Sequence, residues 1–176
     1  MGQVGNYVAN LDPKTGEFKR FTIEAGTNPH NLVVDAKGMV WFTGNANGRI
    51  LRMDSSTSRI TTYMMPDTAV KDPHTMTFDR KGDTWFTAQN AGNVGKLTHA
   101  DGKIRLWKME KGSRPYGIWL DSHDQPWFDL FGTNTLGTID PKSGDFRAVQ
   151  PKDPTRFATW SSTRPRGRYG SAGTRT

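Results

Sequence analysis

One pattern occurs three times in this chain and constrains its fold more than any other feature. Residues 29–54 read PHNLVVDAKGMVWFTGNANGRILRMD, residues 73–97 read PHTMTFDRKGDTWFTAQNAGNVGKL, and residues 115–140 read PYGIWLDSHDQPWFDLFGTNTLGTID. Pro29, Pro73 and Pro115 stand 44 and then 42 residues apart, and Trp41, Trp85 and Trp127 keep the same steps. Two independent landmarks in one register mark a structural repeat of the radial or solenoid kind.

Each repeat breaks into four short apolar segments separated by turn residues. In the first they are Asn31 to Val34, Val40 to Thr43, Ile50 to Met53 and Ile60 to Tyr63, with turns at Asp35-Ala36-Lys37-Gly38 and Asn45-Ala46-Asn47-Gly48. Turn residues every five or six positions argue against helix. Four antiparallel strands per forty-odd residues describe a β-propeller blade. Residues 5–23 read as the second half of a repeat, and their Asp12-Pro13-Lys14-Thr15-Gly16 turn returns as Asp140-Pro141-Lys142-Ser143-Gly144. The expectation is an all-β chain, an incomplete β-propeller of four-stranded antiparallel blades with three full blades plus parts of two. Residues 1–153 form the propeller, with repeats at 5–24, 29–66, 73–109 and 115–150. The recurring Trp-Phe pair fills the space between blades. Residues 154–176, rich in Arg, Gly, Ser and Pro, are expected to be a disordered tail or a frameshifted start of a further blade. Codon degeneracy permits an alternative frame there resembling Val33-Val34-Asp35 and Val40-Trp41-Phe42.

The net charge of +7 invites a nucleic-acid reading, but Lys152, Arg156, Arg164, Arg166, Arg168 and Arg175 against Asp153 put +5 of it after Gln150. The remaining 150 residues carry only +2, without the clustered basic face that nucleic acid requires. No apolar run approaches the roughly 18 residues of a membrane-spanning helix, so no membrane partner is expected. No signal peptide is visible at the start, and the compartment stays unknown. With no cysteine there is no disulfide or thiolate metal site. The glycine motifs lack the Lys-Ser/Thr of a phosphate loop, which excludes nucleotide binding of that kind.

The combination Pro-His/Tyr-x-x, Asp-x-x-Gly, Trp-Phe-Thr, Asn-x-x-Gly and Asp-Pro-x-Thr-Gly, over about residues 5–150, resembles the streptogramin B lyase (virginiamycin B lyase) family. The resemblance implies a seven-bladed propeller, of which this chain is about half. It further implies a magnesium-assisted elimination tied to antibiotic resistance. A histidine of the Pro-His motif takes the proton α to a carbonyl, and a cyclic depsipeptide opens at its ester. A neutral imidazole suits general-base work, and a hard cation on carboxylates stabilises the enolate-like charge. Carried onto this chain, the resemblance makes His74 and His30 the catalytic candidates and Asp72 the candidate ligand for Mg2+. The family's two metal carboxylates lie two residues before the histidine and just after Trp-Phe-x. Here those positions are Asn28 and Gly44 for His30, and Asp72 and Ala88 for His74. In the third repeat Tyr116 replaces the histidine. Asp129 falls one position early, a slip that on a strand points a side chain to the opposite face. No repeat has both acids, and the family's catalytic histidines come from later blades.

If each Pro-His opens the innermost strand, His30, His74 and Tyr116 line one mouth of the axial channel, with Asn28, Asp72 and Arg114 close by. Tyr116, Asn28 and Arg114 are then ligand-binding candidates for a small molecule or peptide at that mouth. The competing reading is architectural: each His or Tyr hydrogen-bonds the main chain of a neighbouring blade. His99 and His123 fall in turns and are expected to be solvated, while Asp35, Asp79 and Asp121 are expected to cap turns. Open blade edges make self-association a further expectation.

Overall fold

The computed structural model describes residues 1–150, with the backbone pairs at Trp160–Ser161 and Gly170–Ser171. It divides into two compact units, Met1–His74 and Thr75–Thr176. The first holds a two-stranded sheet, β1 (Tyr7–Leu11) and β2 (Phe18–Thr22). It also holds a four-stranded antiparallel sheet in sequence order, β3 (Pro29–Val34), β4 (Val40–Gly44), β5 (Arg49–Met53) and β6 (Ile60–Met64). The next sheet is β7 (Pro73–Phe78), which starts at the division, then β8 (Thr84–Ala88), β9 (Asn93–Leu97) and β10 (Ile104–Lys108). The last four-stranded sheet is β11 (Pro115–Leu120), β12 (Pro126–Leu130), β13 (Thr135–Ile139) and β14 (Phe146–Val149). The expected four-stranded sheets are therefore present, and in the first the inner strand begins two residues before the apolar run Asn31 to Val34. Of segment 154–176, only the two-residue strands β15 (Trp160–Ser161) and β16 (Gly170–Ser171) are described. Expectations of disorder or a shifted frame there lie outside the described residues.

Trp and Phe are consecutive on a strand and so face opposite sides of the sheet. Phe42 and Leu51 pack with Val8 and Phe21 of the preceding sheet and with Ile23, which follows β2. Trp85 packs in the other direction, with Ile118, Phe128 and Ile139 of the following one. Trp41, Phe42, Trp85 and Phe86 are fully buried, each contributing about 1.5–3 kcal/mol of apolar burial. Trp41 also stacks on Tyr63 and Trp85 on Trp107, with centroids 5.7 and 5.3 Å apart.

The turn aspartates cap as expected. Asp35 Oδ1 accepts the N–H groups of Lys37 and Met39 while Oδ2 accepts the Trp41 indole. Asp121 does the same for His123, Gln125 and Trp127. In the middle sheet Lys96 intervenes, 3.0 Å from both Asp79 and Asp83, and the buried Trp85 Nε1 has no hydrogen-bond partner.

One cross-strand position differs between sheets. Phe42 faces Leu51, but Phe86 faces Gly95 and Phe128 faces Gly137. A Cβ at either glycine would overlap the phenylalanine ring, so the ring lies where a side chain would otherwise stand. Overpacking such a site costs about 1–3 kcal/mol. Gly95→Ala should accordingly lower the urea midpoint without changing the slope of the transition.

Candidate functional site

The site grows from a local irregularity at the start of inner strands β3 and β11. Pro29 pairs with Gly44 but Leu32 with Phe42, so β3 carries one extra residue, and β11 shows the same shift between Pro115 and Ile118. A bulge frees one N–H from the ladder and re-aims the side chains around it. That N–H is recovered by a side chain: Asn31 N–H donates to Thr43 Oγ1 at 3.0 Å, and Gly117 N–H to Asp129 Oδ1. On β7 the equivalent bond joins Thr75 N–H to Thr87 Oγ1 at 3.3 Å. The two threonine hydroxyls then donate onward, Thr43 to the His74 carbonyl and Thr87 to the Tyr116 carbonyl.

In the first unit the bulge brings two histidines together. The rings of His30 and His74 lie 3.9 Å apart, inclined by 37°, and the His30 ring is hydrogen-bonded to the His74 main chain. His74 is 5% exposed, and His30 is half-buried with no partner for Nδ1. Burial lowers the pKa of His30 against the opposing hydrogen bond. Burial, reinforced by the neighbouring His30, lowers that of His74 to about 4. Both rings are therefore neutral at neutral pH, each able to offer one donor and one acceptor. Asn28 precedes this pair in a left-handed conformation (φ 48°), fixed by its N–H to Asn6 Oδ1 and its carbonyl to Asn45 N–H.

Tyr116 belongs to the second unit, with Phe131 5.9 Å away and the Arg114 guanidinium 5.8 Å from the Phe131 ring. Arg114 also has a left-handed backbone (φ 50°), which costs more for Arg than for Asn. Phe131 carries no sequence motif; its signal is position alone, in register with Asn45 and Gln89.

The residues present do not make a magnesium site. Asp72 is buried, but its expected second carboxylate is Ala88. At Gly44 a Cβ would run into Asn47 and stand 3.1 Å from Thr27. No group of three or more His, Asp or Glu able to hold a metal occurs among the described residues.

As its one-residue slip implied, Asp129 does not take the position of Gly44 and Ala88 but stands in the register of Thr43 and Thr87. It faces β11 and is 1% exposed, and Oδ2 has no partner among the described residues. Burial raises its pKa to about 7, against the Gly117 N–H that favours the charged form. His99 departs from expectation: Nε2 lies 2.8 Å from Thr84 Oγ1, and its N–H donates to Asp83. His123 is exposed, as its turn position implied.

Imidazole resonances test the pair. His74 should show no titration as pH falls from 7 to about 5, and in His30→Ala its midpoint should move up towards the ordinary histidine value.

The sequence profile of the Virginiamycin B lyase family matches residues 3–153. No curated protein sequence matches. A streptogramin B lyase structure superposes with a TM-score of 0.78 at 30% identity, covering 88% of this chain and 51% of that one. Virginiamycin B lyase from Staphylococcus aureus gives 0.77 at 29%, with 88% and 52% covered. Its catalytically inactive variant, solved with quinupristin, gives 0.76 at 25%, with the same coverage. The chain thus spans about half the length of these lyases, and its sheets are blades of an incomplete β-propeller. This chain belongs to the virginiamycin B lyase family.

Proposed function

We propose that the chain is part of a streptogramin-lyase-like propeller whose complete form opens a cyclic depsipeptide at its ester. Within it, these blades bind substrate and do not abstract its proton. The observation that carries this reading is the His30–His74 pair, two imidazoles in contact and held neutral by burial. A general base works best with a pKa near the operating pH, and a ring at about 4 is too weakly basic by about three units. As neutral donors and acceptors, the same rings suit the amide and ester groups of a depsipeptide. Family membership and the likeness to the quinupristin-bound lyase support the substrate class. No magnesium-dependent step is assigned to these residues, because neither histidine has its pair of carboxylates.

A second reading is a non-catalytic propeller that binds a small ligand or peptide. The missing carboxylate pair favours it, as does the Arg114, Phe131 and Tyr116 cluster.

Ring opening by the complete gene product, assayed with and without magnesium, separates the two. Turnover is expected, and its absence leaves only the binding reading. In the complete protein His74→Ala should raise KM with little change in kcat, the mark of lost ground-state binding. A fall in kcat of roughly 100-fold or more at constant KM would instead make His74 the base.

The 176-residue chain should also self-associate. Among the described residues β1 has one neighbouring strand, β2, and beyond it a single bridge from Tyr7 to Gly2, whereas its counterpart β5 has strands on both sides; an open edge is a template for pairing. Sedimentation should show dimers or larger species; a monodisperse monomer removes this proposal.

A further inference from the structure

We infer that Asp129 is the joint to a further blade: its carboxyl group keeps a proton on Oδ2 and donates it to a peptide carbonyl of an incoming strand. That carbonyl belongs to the second residue of the inner strand in a following repeat of this same type. Register carries the argument. Thr43 accepts the N–H of Asn31, twelve residues upstream, and donates to the His74 carbonyl at 3.0 Å. Thr87 accepts from Thr75, again twelve residues upstream, and donates to the Tyr116 carbonyl at 2.6 Å. Asp129 accepts from Gly117, also twelve upstream. Its other oxygen is buried and has no partner among the described residues.

A hydroxyl accepts and donates at once, whereas a carboxylate only accepts and a carboxylic acid does both. To do what the threonines do, Asp129 must therefore stay protonated. Its surroundings permit this. Strands β11 and β13 on either side of it, and β8 packed on β11, contain no Lys, Arg, Asp, Glu or His; Tyr116 is the one other titratable side chain on them. The burial that raises its pKa to about 7 acts in the same direction. An ionised Oδ2 would set two acceptors against each other in a buried place, which is costly. The occupant is a repeat of this type because both existing acceptors are second residues of strands opened by proline, His74 and Tyr116. The family's structures are about twice as long as this chain.

The test uses the 176-residue chain and, as probe, a synthetic peptide copying residues 71–98, the three inner strands β7, β8 and β9 of its own second repeat. At about pH 6, infrared difference spectra against Asp129→Asn should contain a protonated-carboxyl stretch. The peptide should bind roughly tenfold or more tightly at about pH 6 than at about pH 8.5, following the protonated fraction of a group titrating near 7. Asp129→Thr should bind it equally at both, and Asp129→Val, which lacks the donor, weakly at both. An ionised Asp129 at about pH 6 overturns the proposal. So does pH-independent binding by the unmodified chain, or failure of Asp129→Thr to bind.

Discussion

At the head of each inner strand, a main-chain N–H donates to a side chain in place of a ladder carbonyl, and the arrangement of the site depends on that exchange. The bulges in β3 and β11 would otherwise leave a buried donor unpaired, at a cost of about 1–3 kcal/mol each. Thr43, Thr87 and Asp129 remove that penalty. In doing so they fix where the second residue of the strand points. The contact between His30 and His74 is downstream of these bonds, because the Thr43 hydroxyl holds the His74 carbonyl as well.

Burial acts on the two kinds of titratable group in opposite senses. For His74 the folded pKa lies below the ordinary 6.5, so its contribution is present above that value and lost as pH falls towards 4. For Asp129 the folded pKa lies above the ordinary 3.8. Its contribution is complete below about 4 and lost as pH rises towards 7. The two slopes run against each other over the same interval. A flat stability profile there would reflect cancellation and not an absence of coupled protons.

Strand number and order were legible because Pro, Trp and the turn residues recur at fixed steps. The opening of the inner strands at Pro29, Pro73 and Pro115 was legible too; the bulges that follow in β3 and β11 were not, since an extra residue leaves no apolar alternation to read. Asp129 stands off the metal position, as its one-residue slip along the strand implied; what the slip left unread was its role in place of a threonine. The second residue after each Trp is polar in all three repeats: Thr43, Thr87 and Asp129. His99 looked solvated because its partners, Asp83 and Thr84, lie 16 and 15 residues upstream, at the start of β8. Local sequence carries no trace of such pairing. The absence of a second carboxylate beside His30 and His74, by contrast, was readable directly from Asn28, Gly44 and Ala88.

The onward bonds from Thr43 and Thr87 end on peptide carbonyls, one belonging to a histidine and the other to a tyrosine. Every residue type supplies that acceptor, so these bonds do not discriminate by side chain. Repeats linked in this way can be duplicated, lost or exchanged between genes without a compensating substitution at the acceptor. The residue displayed beside each carbonyl is left free to diverge. A lineage could thus change its blade count and its rim chemistry independently.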